Sequence, residues 1–258
     1  MRRAAVFLGL ALGACGSTGG ALVAFHAAAA GPVDATAGQP LVFTNAQGYQ
    51  VTLTRARLHV GAVYLNRSVP LTGAQAQSCI LSGIYSGEVT SPLDVDVLSP
   101  APQPFTAAGE GTADLSQTGE VWLFGTDPFA TDDATVIADF AGTAAQGATS
   151  IQFTGQITIG QNRAIPVANP ALPGANPLCK QRIVTQLLPS PFRLAQGGTL
   201  LVRVDPRGLF TSVDFAQVPP DPSDPTTLRF LDQTQSTPST GLGLLDVTGV
   251  YSFNWQSP

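Results

Sequence analysis

The stretch "SIQFTGQITIG", residues 150–160, alternates apolar and polar residues. Ile151, Phe153, Ile157 and Ile159 fall on one face; Gln152, Thr154, Gln156 and Thr158 fall on the other. Successive side chains of an extended chain point to opposite sides, so a period of two predicts a half-buried β-strand, with Gly155 placed for a bulge. The same pattern recurs outward from here. "TLLVRV" (199–204) groups Leu200, Val202 and Val204, and "VTGVYSFNW" (247–255) sets Tyr251, Phe253 and Trp255 against Ser252, Asn254 and Gln256. A terminal strand with its aromatics on one side is expected to complete a sheet, because exposing them together would invite aggregation.

"YQVTLTRARLHVGAVYLN" (49–66) changes phase. Val51 and Leu53 set one phase, whereas Leu58, Val60, Ala62 and Tyr64 set the opposite one, with the switch at Thr54–Arg57. That predicts a bulge or a crossing between two sheets. "TDDATVIADFAG" (131–142) fits a helix begun by Asp132 and Asp133 and stopped by Gly142, but Val136, Ala138 and Phe140 also alternate, and the strand reading is preferred. Proline marks the loops "SPAPQPF" (99–105), "IPVANPALPGANP" (165–177), "VPPDPSDP" (218–225) and "STPSTG" (236–241). Strands divided by such loops predict an all-β fold, an antiparallel β-sandwich of immunoglobulin-like or jelly-roll type with little helix. It would fill residues 40–258 as one domain, the alternative being two subdomains split near 165–178.

Composition narrows the partners. Of 258 residues, 44% are hydrophobic and only 11% charged, Lys180 is the one lysine, and the net charge is −5. An acidic chain lacks the basic footprint that nucleic acid requires. Met1 is the one methionine, which excludes a thioether-rich copper site.

The N-terminus predicts an address. Arg2-Arg3 precedes the apolar run "AAVFLGLALGA" (4–14), which is too short to span a bilayer, and Leu12-Gly13-Ala14-Cys15 resembles a lipobox. Residues 1–15 then form a lipoprotein signal peptide, Cys15 carries the lipid that holds the protein to a membrane, and 16–39 form a flexible tether. Competing readings are ordinary secretion through an A-x-A site in "FHAAAAGP" (25–32) and one membrane helix over 4–30. All three place the folded part outside the cytoplasm. A lipidated Cys15 points to the cell envelope, with the outer membrane favoured by Gly16; an unlipidated one makes the protein periplasmic or secreted. Cys79 and Cys179 then remain as an even pair in an oxidising compartment, and a disulfide between them is expected.

Catalytic signatures are sparse. Nucleophilic catalysis needs a base beside the nucleophile, and outside the tether the one histidine is His59, in mid-strand. "GIYSG" (83–87) has the wrong spacing for a nucleophile elbow. Asp94 and Asp96, in "PLDVDVL", are expected on one strand face, where they could hold a metal with His59 or act as an acid pair on a glycan. Asp127, Asp132 and Asp133 gather in "GTDPFATDD" (125–133), a candidate calcium loop without the regular spacing of a dedicated one.

"GYQVTLTRARLHVGAVYL" (48–65) and "DPRGLFTSVDF" (205–215) resemble an uncharacterised family of secreted lipoproteins from high-GC, myxobacterial-type bacteria, the likeness extending loosely over residues 41–216. Leu209 stands where an aromatic is expected in such relatives. The resemblance implies export and a β fold and brings no activity. The function expected from the sequence is a non-enzymatic binding or structural module of the envelope, facing an envelope protein or a glycan and needing no cofactor. The alternatives are a periplasmic protein binding calcium or a transition metal through carboxylates, and a carboxylate-dependent glycan hydrolase.

Overall fold

Residues 149–158 form a strand whose Phe153 and Ile157 are buried while Gln152 and Gln156 are exposed. The computed structural model describes residues 20–68, 84–125, 134–158, 183–230, 237, 239–244 and 249–258. In chain order the strands are β1 (Leu22–Ala30), β2 (Leu41–Thr44), β3 (Gln50–Val60), β4 (Ala62–Asn66), β5 (Tyr85–Val89), β6 (Leu93–Asp96), β7 (Gln103–Pro104) and β8 (Gly109–Thr112). They continue as β9 (Leu115–Trp122), β10 (Val136–Gln146), β11 (Thr149–Thr158), β12 (Ile183–Arg193), β13 (Thr199–Val204), β14 (Pro220–Asp221), β15 (Asp224–Arg229) and β16 (Tyr251–Gln256). One helical turn, α1 (Pro206–Leu209), follows β13.

Among the described residues the strands form two sheets. The larger runs β12-β9-β4-β5-β8-β1-β13-β16, with β7 also on β1; the smaller runs β14-β15-β11-β10-β3-β2, with β6 also on β3. They enclose one core to which Val51, Leu53, Phe140 and Phe153 contribute from the smaller sheet and Phe25, Val121, Val202 and Phe253 from the larger. The all-β sandwich expectation holds, but its sheets are mixed. β1 runs parallel to β13, and β11 runs parallel to β15.

The phase change at 54–57 has both of its predicted causes. Opposite β10, Leu53 pairs with Gly142 and Arg55 with Ala141, so Thr54 is an extra residue. Leu53 and Ala56 point inward, and Thr54 and Arg55 both face out. At Gly61 the chain leaves the smaller sheet for the larger, and a Cβ there would lie 2.4 Å from the Phe124 carbonyl oxygen. The crossing changes phase again: Val63 and Leu65 enter the core, and Tyr64 packs with Trp122 outside it. Gly155 is not a bulge. It pairs in register with Phe140, and its missing Cβ leaves room for the Phe140 ring, 2.7 Å away.

The tether needs the largest correction. Residues 22–30, placed within it, form a strand inside the larger sheet, between β8 and β13. Ala27 and Ala29 join the main core, and Ala28 and Ala30 pack with Leu201 on the other side. Burial on both faces removes the alternation that marks a strand, which is why the run reads as a linker. Residues 22–30 therefore belong to no membrane helix, and cleavage within 25–32 would cut the sheet. Among the described residues no helix is long and apolar enough to cross a membrane.

The "DPRGLFTSVDF" segment is structural. Asp205 caps α1 through the Arg207 N–H, and the Arg207 guanidinium bonds both Asp205 and Asp34, tying the β1–β2 loop to the turn. Beyond the turn, Phe210, Val213 and Phe215 enter the core, where Phe210 packs against Phe140, Phe153, Phe215 and Phe230 at centroid distances of 5.4–6.3 Å.

Candidate functional site

Cys15, Cys79, Cys179, Asp127, Asp132 and Asp133 lie outside the described residues. His59, Asp94 and Asp96 are described. Asp94 and Asp96 share the outer face of β6 as expected, with Val95 buried between them, but they have different partners. Asp94 Oδ1 is 2.6 Å from His59 Nδ1 on the paired strand. Asp96 Oδ1 accepts from the Leu98 N–H, and the Asp96 backbone bonds the Gln103 carboxamide. Among the described residues no three His, Cys, Asp or Glu side chains converge as a metal-binding group.

Sequence reasoning missed a second polar face, on the outside of the larger sheet. Register places Glu110 of β8, Glu88 of β5, Tyr64 of β4, Glu120 of β9 and Thr185 of β12 side by side in one row. Tyr85 joins them through a bulge: Leu65 pairs with Gly87 and Asn66 with Tyr85, which leaves Ser86 extra. Ser86 turns inward to a hydrogen bond with Ser116 (2.7 Å), and Tyr85 faces out. A bulge re-aims the side chains that follow it. Without it Tyr85 would point into the core.

Glu120 is buried. Its Oε1 accepts from Asn66 Nδ2 (2.8 Å) and its Oε2 from Trp122 Nε1 (2.9 Å), with the Tyr85 hydroxyl close by. Burial pushes its carboxyl above the ordinary glutamate range, and these three neighbours oppose that shift. The tyrosines respond in kind. Burial raises the Tyr64 and Tyr85 hydroxyls, and the nearby Glu88 and Glu120 charges raise them further. The Tyr64 ring lies 4.1 Å from Trp122 and 4.8 Å from Tyr85, centroid to centroid, so the aromatics form one plate beside the carboxylates.

A groove of about 520 Å³ runs from Tyr85, at the edge of this plate, across β5, β8 and β1. Its floor is the backbone of the paired Gly87 and Gly111, whose absent Cβ atoms leave space on the core side for Leu194. Tyr85, Glu88, Glu110, Thr112, Gln196 and Leu22 line it, and Leu22 is 86% exposed. Glu88 and Glu110 stand directly opposite each other on adjacent strands. Like charges in that position repel, and the described residues give neither an ion pair.

The smaller sheet bears the His59 site. The Thr54 bulge puts Arg55, Arg57 and His59 outside, and a cavity of about 480 Å³ opens beside them. Arg55 bonds Asp139 at 3.0 and 3.2 Å. His59 Nε2 is buried with no hydrogen-bond partner among the described residues.

Among solved structures the chain is similar to MbnP from Methylosinus trichosporium, at 12% identity, with 92% of this chain and 99% of that chain covered and a TM-score of 0.38. No protein-family profile and no curated protein matches it.

Proposed function

We propose that the chain is an exported, lipid-anchored binding module of the cell envelope, without catalytic activity, whose ligand is a basic segment of a partner protein. The carrying observation is the face-to-face Glu88 and Glu110, without an ion pair among the described residues, in a groove bordered by Tyr85 at the exposed edge of the aromatic plate. A Lys or Arg side chain relieves the repulsion between the carboxylates, and its cationic head is attracted to the adjoining Tyr85 ring. Exposed Leu22 and the stem of Tyr85 offer apolar surface to the methylene part of such a side chain. Export and anchoring are supported by the Leu12–Cys15 lipobox.

Calorimetric titration with a short Lys/Arg peptide tests the reading, with an uncharged glycan as comparison. Binding should weaken as ionic strength rises from about 0.01 M to about 0.15 M. The double substitution Glu88→Gln and Glu110→Gln should lower affinity by roughly fivefold, the effect of about 1 kcal/mol of partly exposed charge pairing. Heat with the glycan and none with the peptide would refute the basic-segment ligand. Intact mass spectrometry of the native protein reads the anchor directly: a diacylglyceryl mass on Cys15 is expected, and an unprocessed N-terminus would refute it.

A further inference from the structure

On the smaller sheet, away from the groove, we infer that the cavity beside His59 is a binding site for a small, neutral polyhydroxylated ligand of monosaccharide size. It begins with an irregularity in β10. Val136 pairs with Thr158 and Ala138 with Ile157, so Ile137 is an extra residue on β10. Ile137 and Ala138 are both buried in the core. By register Ile137 lies across from His59, because its neighbour Ala138 pairs with Leu58. The bulge therefore turns the Ile137 side chain into the core rather than out over the imidazole, which stays largely buried. What remains is the cavity, lined by Arg57, His59, Asp94, Val136, Asp139 and Gln156 among others.

The donor and acceptor set defines the ligand. The Asp94 carboxylate, 77% exposed, is 2.6 Å from His59 Nδ1 and accepts its proton, which in the neutral ring leaves Nε2 as an acceptor. Nε2 is buried and, among the described residues, unpartnered, a costly state for a polar atom and one that a ligand hydroxyl relieves. Around it the charges alternate. Asp96, Arg57, Asp139 and Gln156 follow one another across β6, β3, β10 and β11, and Arg55 neutralises Asp139. Arg57 makes no ion pair with any described residue. The cavity thus offers guanidinium and carboxamide donors next to carboxylate and imidazole acceptors, with little net charge. Hydroxyl groups both donate and accept, so vicinal hydroxyls match this set. An anion would meet Asp94 and Asp139, and a metal ion would find no convergent set of three ligands among the described residues.

The site is independent of the groove, and its test does not depend on the peptide result. Full-length protein labelled with ¹⁵N is titrated separately with glucose, galactose, N-acetylglucosamine and inositol, with inorganic phosphate, and with Ca²⁺ or Zn²⁺, while the imidazole signals are followed. The exposed His26 on β1 is the internal control. At least one neutral compound should shift His59 saturably and leave His26 unmoved. Arg57→Gln and His59→Phe should each weaken that binding by about tenfold, the loss of one hydrogen bond to a charged or buried group, with melting temperature retained. If His59→Phe does not fold, the wild-type His59 titration decides alone. No saturable shift with any neutral compound overturns the inference, as does a response to phosphate or metal alone.

Discussion

Asn45 shows how much one side chain can carry in this fold. Its Nδ2 donates to the carbonyls of Phe210 (3.2 Å) and Val213 (2.7 Å), and its Oδ1 accepts from the N–H groups of Gln47 and Tyr49. It closes the β2–β3 turn and holds the loop that delivers Phe210 and Phe215 to the core. Asn45→Ala takes the side-chain donor from the Val213 carbonyl, while the Phe210 carbonyl keeps the Val213 N–H, and should cost about 1–3 kcal/mol, read from urea denaturation with an unchanged slope. Nothing in "TNAQGY" (44–49) announces this role, because the accepting carbonyls come from more than 160 positions away. Glu120 is hidden in the same way. In "TGEVW" (118–122) it looks like a solvent-facing strand residue, and only register brings Asn66 and Tyr85 to it. His59 and Asp94 were recognisable as candidates from their residue types, but their pairing needed the register of β3 with β6.

At the scale of elements, alternation was readable wherever one face is buried and the other wet. β11, β16 and the inner phases of β3 all follow it. Even the Thr54 bulge left its mark, since an extra residue inverts every later side chain. The bulges at Ser86 and Ile137 left none, because "YSGEV" and "TVIAD" are too short to show two phases. β1 escaped for a different reason: alanines covered on both sides have no polar face to alternate with. Its position yields a sharp expectation. A chain beginning at residue 20 should melt cooperatively near the temperature of the mature protein, while one beginning at residue 32 should lack a cooperative transition in circular dichroism, having lost the strand between β8 and β13. Equal melting of the two would show that β1 is dispensable.

Across the whole molecule, two sets of carboxylates pull stability in opposite directions with pH. Hydrogen bonds hold the carboxyls of Asp34, Asp114, Asp214, Asp221 and Asp224 below the ordinary value of 3.8; the leading donors are Arg207, Thr112, Gln217, Ser223 and Thr226, respectively. A group depressed by folding stabilises above its unfolded value, and that contribution is lost as pH falls through its folded one. Glu120 is raised above 4.5, so the folded state binds more protons in that window and stability declines as pH rises through it. Urea denaturation against pH should show an acid limb below about pH 4 and a shallow decline above about 4.5. Glu120→Gln should abolish the decline and keep the acid limb; an unaltered profile would mean that Glu120 is not held protonated by the fold.

The parallel pairing of β1 with β13 also dictates timing. His26 meets Thr199, so β1, the first of the described strands, waits until about three-quarters of the chain has been made before its neighbour β13 exists. Such long-range closure slows folding into the millisecond-to-second regime and leaves an alanine-rich edge open meanwhile. A polypeptide built this way stays pliable while it is being made, and its larger sheet locks only once the β13 partner of β1 has arrived.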